Sequence, residues 1–385
     1  MNLSKDHINE ISVEGFKKFK KVVLDDIGQF NLIVGDNNVG KTTLLEILLI
    51  DYNLENYVYN LLNALNYKGV LSNVRFLRNP DIMDYLKLYF NKDLAEKKIV
   101  FQIRKGDESD VISVKIIENI SKFTEQEREH LELYEGKNFA ARRNKKRYEK
   151  SNYEGFSQKE GYIALYRNDE IETIISDFDY DPESPFTYYT PFIPFSRGYN
   201  IILADYFSKY IIEEDKTIKE LFIKNLKAFI PDLEDIAISF KITTSDDRLP
   251  IIYIFEKSTK SPFPLSMMGE GANKLFRILL EIMICRGKRL MIDEIDTGVH
   301  YSRFKDFWKI IIKSAILNDV QIFATTHNIE CLKYFKEALE EKEMLEFRDR
   351  ARNFSIREIQ DRQLSVFKYS FEEFEHAINQ DINIR

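Results

Sequence analysis

"FNLIVGDNNVGKTTLLE", Phe30 to Glu46, decides the fold. An apolar, strand-like run ends at Gly35, and Gly35, Asp36, Asn37, Asn38, Val39, Gly40, Lys41 and Thr42 then match the phosphate-loop pattern, with a helical pattern behind it. Glycines suit such a loop because backbone N–H groups must come close to phosphate oxygens, while the amino end of the following helix adds partial positive charge. Lys41 is expected to reach the β- and γ-phosphates of ATP. Thr42 is expected to place its hydroxyl on Mg2+, with Thr43 beside it in the first helical turn.

Farther along, "RLMIDEIDTGVH" carries four extended, mostly apolar residues into two consecutive carboxylates, Asp293 and Glu294. Ligands collect at the carboxyl edge of an open α/β sheet, so this pair suits Walker B. Asp293 is expected to hold the metal and Glu294 to orient and deprotonate the attacking water, because phosphoryl transfer needs positioning and charge neutralisation above all. A third apolar strand, "QIFATTHNIE", ends at Thr325, Thr326 and His327. His327 reads either as a cap on the next helix or as a γ-phosphate contact; its place after the acidic pair favours the contact.

At 385 residues the chain is long enough for a large domain with an insertion, and 21 Tyr and 29 Phe support a folded core. A net charge of −7 excludes a protein coated in basic surface, so DNA binding would have to be local. The densest basic run is "RRNKKRYEK", Arg142 to Lys150, which reads first as solvated surface. Cys285 and Cys331 lack metal-ligand spacing and read as buried thiols. No signal-like or membrane-length apolar run is present, which points to a cytoplasmic protein with no membrane partner.

The pattern predicts an α/β chain in three parts: residues 1–80 as the first part of an ATPase lobe, 81–230 as an α+β insertion, and 231–385 as the second part of the lobe. Residues 8–34 read as two or three strands, and "KTTLLEILLIDYNLENYVYNLLNALNY" as one half-buried helix. The insertion holds a hairpin turning at "GDESD" and a segment, "DFDYDPESPFTYYTPFIPF", with too many prolines to be regular. Hairpin, helix and strand patterns then alternate from 231 onward. Strands are expected near 347–356 and 364–369, and a last helix at 371–378.

Taken together, "INEISVEGFKKFKKVVLDDIGQFNLIVGDNNVGKTTLLE", "LMIDEIDTGVH" and "IFATTHN" resemble the ABC-type P-loop ATPases of the RecF, structural-maintenance-of-chromosomes and overcoming-lysogenisation-defect group. That resemblance implies an ABC-type ATPase head and a signature helix that meets the γ-phosphate bound by a second subunit. "LSMMGEGANKLFRILLEI" stands at the matching place, making Ser266, Gly269, Glu270 and Gly271 the candidates, with one residue more than the usual signature and two methionines. It also implies a homodimer or higher homo-oligomer with shared ATP sites, and assigns His300 to a dimer-contacting loop. No glutamine loop can be placed; Gln102 is available without distinguishing neighbours.

No Toprim nuclease is expected in the residues after Asn328, which lack its Asp-x-Asp pair. "DFDYD", Asp177 to Asp181, reads as a solvated turn, and no sustained heptads support a long coiled coil. The resemblance therefore implies a stand-alone AAA-type ATPase subunit, similar to AriA-type defence ATPases. It would gate a separate effector, such as a Toprim-type or other nuclease, in bacterial anti-phage defence. The alternative is a RecF-like DNA-binding ATPase of repair or replication.

Overall fold

Strands buried on both faces need continuous apolar runs, and "FNLIV", "LMI" and "IFA" supply them. The computed structural model describes residues 7–71, 79–131, 161–175, 189–195, 200–242, 248–259, 261–359, 364–380 and 382. In it these runs lie side by side. The sheet they form has the strand order Leu364–Ser370, Ala351–Glu358, Phe30–Gly35, Gln321–Thr325, Arg289–Ile292, Phe192–Ile193. Every neighbouring pair is parallel except the first, where Leu364–Ser370 closes the edge antiparallel to Ala351–Glu358.

The chain divides into two compact units. One comprises Met1–His7, Asp26–Leu48 and Pro191–Arg385; the other comprises Ile8–Asp25 and Leu49–Thr190. This division departs from the 1–80, 81–230 and 231–385 limits expected from composition, because strand pairing ignores sequence continuity. Glu10–Phe16 pairs with Phe19–Leu24 on one side and with Lys98–Lys105 on the other, drawing the amino-terminal hairpin into the second unit. There a six-stranded antiparallel sheet runs Phe19–Leu24, Glu10–Phe16, Lys98–Lys105, Glu108–Ile117, Tyr162–Arg167, Glu170–Ile175. Its apolar side chains alternate with more exposed ones, as along Lys98–Lys105, where Ile99, Phe101 and Ile103 are buried, so one face is available for burial. Tyr57, from the helix Leu54–Tyr67, meets Phe101 edge to face at 5.4 Å.

Two expectations fail locally. The single helix read from Lys41 to Tyr67 is two, Lys41–Ile47 and Leu54–Tyr67, which belong to different units. Between them Asp51 accepts a hydrogen bond from the Asn53 backbone, and the Asn53 side chain accepts from the N–H groups of Glu55 and Asn56, capping the second helix. Asp and Asn side chains compete with helical hydrogen bonding in this way, a signal that hydrophobic periodicity does not register. The proline-rich segment is not wholly irregular either. Phe192–Ile193 forms a short strand beside Met291 and Ile292, and Pro191 and Pro194 flank it at a sheet edge, where a missing N–H is tolerated. "DFDYD", the basic run Arg142–Lys150 and the "SDDR" turn up to Asp247 lie outside the described residues.

In the first unit the remaining strands form a three-stranded antiparallel sheet, Phe263–Pro264, Arg248–Glu256, Leu233–Ile242. Phe207, Phe222 and Phe276 from three helices form a triad with centroids 5.2–5.5 Å apart. Trp308 stacks its edge on Phe335 at 4.7 Å and donates its indole N–H to the Cys331 carbonyl. Such fully buried aromatic side chains each stabilise by about 1.5–3 kcal/mol. Cys285 and Cys331 are buried thiols, as expected. Strand Leu364–Ser370 and the helix Phe371–Asn379, opened by a Ser370–Glu373 capping box, follow the sequence reading closely, whereas the strand expected from 347 begins at Ala351, after a 3-10 helix Lys342–Arg350. Among the described residues, no helix is long and apolar enough to cross a membrane.

Candidate functional site

Three parallel strands deliver their chemistry to one edge. Phe30–Gly35 ends at the glycine loop, Arg289–Ile292 ends just before Asp293 and Glu294, and Gln321–Thr325 ends before Thr326 and His327. The first and last are adjacent, and the acidic strand follows on the far side of Gln321–Thr325. Thr325 therefore stands between the glycine loop and the acidic pair.

The loop has the backbone that a phosphate cradle needs. Gly35, Asn38 and Gly40 adopt positive φ of 147°, 64° and 111°. A Cβ on Gly35 would lie 2.6 Å from the Ile356 carbonyl and 2.9 Å from Val39, so both conformation and space demand glycine there. Gly40 precedes the helix Lys41–Ile47 without a side-chain cap, leaving its amino end to other partners. Asp36, Asn37 and Asn38 are exposed along the loop, while Val39 is buried beneath it.

Lys41 is 8% exposed, and its Nζ donates to the carbonyls of Gly35 and Asp36, both at 2.8 Å. Burial holds its ammonium below the usual lysine range, opposed by the carboxylates of Glu294, Asp293, Asp36 and Asp296. The Thr42 hydroxyl donates to the Asp293 carboxylate at 3.0–3.1 Å. Asp293 also accepts from the Thr325 hydroxyl at 2.7 Å, and that same Thr325 oxygen accepts from the Glu294 backbone N–H at 2.7 Å. Thr43, half-buried, follows in the first turn. Hence Walker A, Walker B and the third strand are tied into one hydrogen-bonded unit.

The donors suit Mg2+. One hydroxyl and one carboxylate oxygen in contact offer hard oxygen ligands, and the remaining positions of such an ion are ordinarily filled by phosphate oxygens and water. Thr42 and Asp293 are the residues that would hold it; among the described residues no cluster of three or more His, Cys, Asp or Glu could bind a metal unaided. Bound there, the ion would supply positive charge to the phosphate oxygens.

The other candidates come from other segments of the chain. His327 is exposed directly after Thr326, whose hydroxyl donates to Asp296 at 2.7 Å and accepts from the Asn328 N–H at 3.0 Å. Asn328, not His327, caps the helix Ile329–Glu340. Ser266 lies in a 3-10 turn, and Gly269 precedes the helix Glu270–Ile284. A Cβ on Gly271 would come within 3.1 Å of the Gly298 carbonyl, and one on Gly298 within 2.6 Å of the Glu270 Cβ. Thus Glu270 and Gly271 pack on the loop after Walker B. Ser266, Gly269 and Glu270 are exposed, and Met267 is 73% exposed beside them. His300 caps the turn Tyr301–Arg303 and is exposed. Gln102 is exposed on a strand of the second unit.

Residues 30–332 match the family described as "AAA domain, putative AbiEii toxin, Type IV TA system". The chain belongs to this AAA-domain family. It is also similar to a Helicobacter pylori (strain ATCC 700392 / 26695) protein named "ATP/GTP phosphatase", at 24% identity over 361 residues, which cover 87% of this chain and 89% of that protein. Among solved structures it is similar to an Smc head bound to the C-winged helix domain of ScpA, with a TM-score of 0.49, 15% identity, and 96% and 99% of the two chains covered. An Smc head with an extended coiled coil, bound to the C-terminal domain of ScpA derived from Pyrococcus furiosus, gives a TM-score of 0.48, 12% identity, and 98% and 100% coverage.

Sequence reading missed two members of the site of this AAA-domain protein. Thr325 bridges Asp293 and Glu294; its only signal was a hydroxyl at the end of an apolar strand. Lys274, from the helix Glu270–Ile284, donates to the Glu294 carbonyl at 2.6 Å. Burial pushes its ammonium down to about 8, against the pull of Asp296, Asp293 and Glu294. Because the folded value lies below the unfolded one, the unfolded chain binds more protons between about pH 8 and about pH 10.4, and stability rises with pH across that window. Urea unfolding at about pH 7.5 and about pH 9.5 should show the protein gaining on the order of 1 kcal/mol relative to Lys274→Met. An unchanged difference would mean that the ammonium is well solvated.

Proposed function

We propose that this protein binds Mg-ATP and hydrolyses it slowly, acting as a homodimer or larger homo-oligomer that shares its ATP sites and gates a separate effector. The observation that carries the reading is the Thr42–Asp293–Thr325–Glu294 unit beside Lys41, which assembles a phosphate loop, an oxygen-donor set and a candidate water-activating carboxylate at one sheet edge. In this reading Lys41 and the loop N–H groups bind the β- and γ-phosphates, and Glu294 orients the water and accepts its proton. His327 contacts the γ-phosphate from the third strand. The name of the Helicobacter relative supports nucleoside triphosphate hydrolysis and that of the family a place among toxin–antitoxin systems, while an anti-phage role is part of this proposal. The finer grouping with RecF-like, overcoming-lysogenisation-defect and AriA-type ATPases, and a cytoplasmic location, belong to the same proposal.

Sharing of the site is supported by the signature segment. Gly298 is required by packing within the chain and Gly271 is tightly packed, but a Cβ at Gly269 would meet nothing within 4 Å. Glycine at that exposed helix start suits close approach by a phosphate held on a second copy, with Ser266, Glu270 and the helix amino end beside it. ATP then joins two chains, and loss of the γ-phosphate removes contacts from both.

Light scattering on Glu294→Gln, with and without Mg-ATP, tests this directly, with Lys41→Ala as the nucleotide-free control. The mass of Glu294→Gln should double or more on adding Mg-ATP, while that of Lys41→Ala stays constant. A mass that is the same in every state would remove ATP as the link between chains.

A further inference from the structure

Glu294 is the candidate general base, yet its backbone has φ 47°, in the left-handed region that residues with a Cβ seldom occupy. Hydrogen bonds brace its peptide groups from opposite sides. On the amino side its N–H donates to the Thr325 hydroxyl at 2.7 Å. On the carboxyl side its carbonyl accepts from Lys274 Nζ at 2.6 Å and from the Thr297 N–H at 3.1 Å, and the next N–H, of Ile295, donates to the Thr325 carbonyl at 2.9 Å. The Glu294 carboxylate is among the charges that favour the Lys41 ammonium, and its residue follows the strand Arg289–Ile292, whose end shares the sheet edge with the phosphate loop. The Thr297 hydroxyl reaches one of its oxygens only at 3.4 Å, a weak restraint.

We infer that Lys274 is a positioning residue for the hydrolytic step, holding the Glu294 backbone in the conformation that aims its carboxylate at the bound nucleotide. The inference rests on the ATPase reading above. Lys274 lies one helical turn after Glu270 on the helix whose start is proposed to meet the partner's γ-phosphate. The segment that grips one nucleotide thereby holds the base that acts on the other, so displacement of this helix would reach Glu294 through the Lys274 hydrogen bond. A plain structural role is the competing account, since Asp296 is the first of the charges that favour the Lys274 ammonium in its buried place.

The test measures kcat and the dissociation constant for Mg-ATP in the full-length wild type, Lys274→Met, Lys274→Arg, Glu294→Gln and the Lys274→Met/Glu294→Gln double variant. Methionine keeps the apolar stem and removes the donor. Its kcat should fall about 10- to 100-fold with ATP affinity within about threefold of wild type, and arginine, which retains a donor, should recover part of that loss. Because Lys274 acts through Glu294, the double variant should be no slower than Glu294→Gln alone. Additive losses, or loss of ATP affinity alongside kcat, would make Lys274 structural and overturn the inference. So would a Lys274→Met kcat within twofold of wild type. Thermal melts identify a misfolded methionine variant, in which case Lys274→Arg decides: its displaced donor must change kcat without changing affinity. A wild type with no turnover at all would instead bring down the ATPase reading itself.

Discussion

Lys41→Ala is expected to weaken Mg-ATP binding by about 30- to 700-fold, equivalent to ~2–4 kcal/mol, because it deletes a charge-assisted donor to phosphate from a partly desolvated site. Lys41 is 8% exposed and its ammonium already bears a desolvation cost, which the Gly35 and Asp36 carbonyls and four nearby carboxylates offset. With alanine, those carboxylates would face the incoming triphosphate without the cation between them, so like-charge repulsion adds to the lost attraction. The nucleotide-free protein should keep its melting temperature within a few degrees, because a costly buried cation leaves together with its hydrogen bonds. Fluorescent-nucleotide titration and thermal melts check the two halves. Unaltered affinity in a folded variant would mean that the loop does not hold phosphate.

Glu294→Gln is expected to behave in the opposite way, with kcat reduced about 10²- to 10⁴-fold and ATP affinity nearly unchanged. The main-chain contacts that brace position 294 survive, since Thr325 engages its N–H, and Lys274 and the Thr297 N–H engage its carbonyl, none of these bonds involving its side chain. Glutamine tolerates the same backbone as glutamate, so the substitution removes the proton acceptor and little else. Single-turnover hydrolysis with excess enzyme separates this from slow product release. A kcat within tenfold of wild type would assign the base to another group, and His327, exposed beyond the third strand, would be examined next. The contrast between Lys41, which changes binding, and Glu294, which changes turnover, distinguishes a phosphate site from an incidental cluster of charge.

Much of this protein is legible in the chain itself. The glycine loop declares its own conformation, because Gly35 and Gly40 stand where positive φ is needed and Lys41 and Thr42 follow at fixed spacing. "RLMI" and "QIFAT" announce buried parallel strands by continuous apolar character, and the carboxylates and hydroxyls after them mark the sheet edge where ligands gather. Sequence thereby determined the α/β class, the phosphate loop, the acidic pair and the helices that begin at Glu270 and after Asn328. These features are local, each written within a dozen residues.

Tertiary structure decided what depends on residues far apart in the chain. That the hairpin Glu10–Leu24 joins the second unit follows from its pairing with Lys98–Lys105, about ninety residues away, and no local pattern encodes that choice. The strand at Phe192–Ile193 exists because the exposed edge of Arg289–Ile292 offers it hydrogen bonds; alone, two residues between prolines specify nothing. Thr325 and Lys274 became members of the site for the same reason. A threonine ending a strand and a lysine inside a helix are ordinary until folding sets one hydroxyl between Asp293 and Glu294 and one ammonium against the Glu294 carbonyl. Residue type and spacing can specify a loop; only the packed chain can say which distant groups hold it in place.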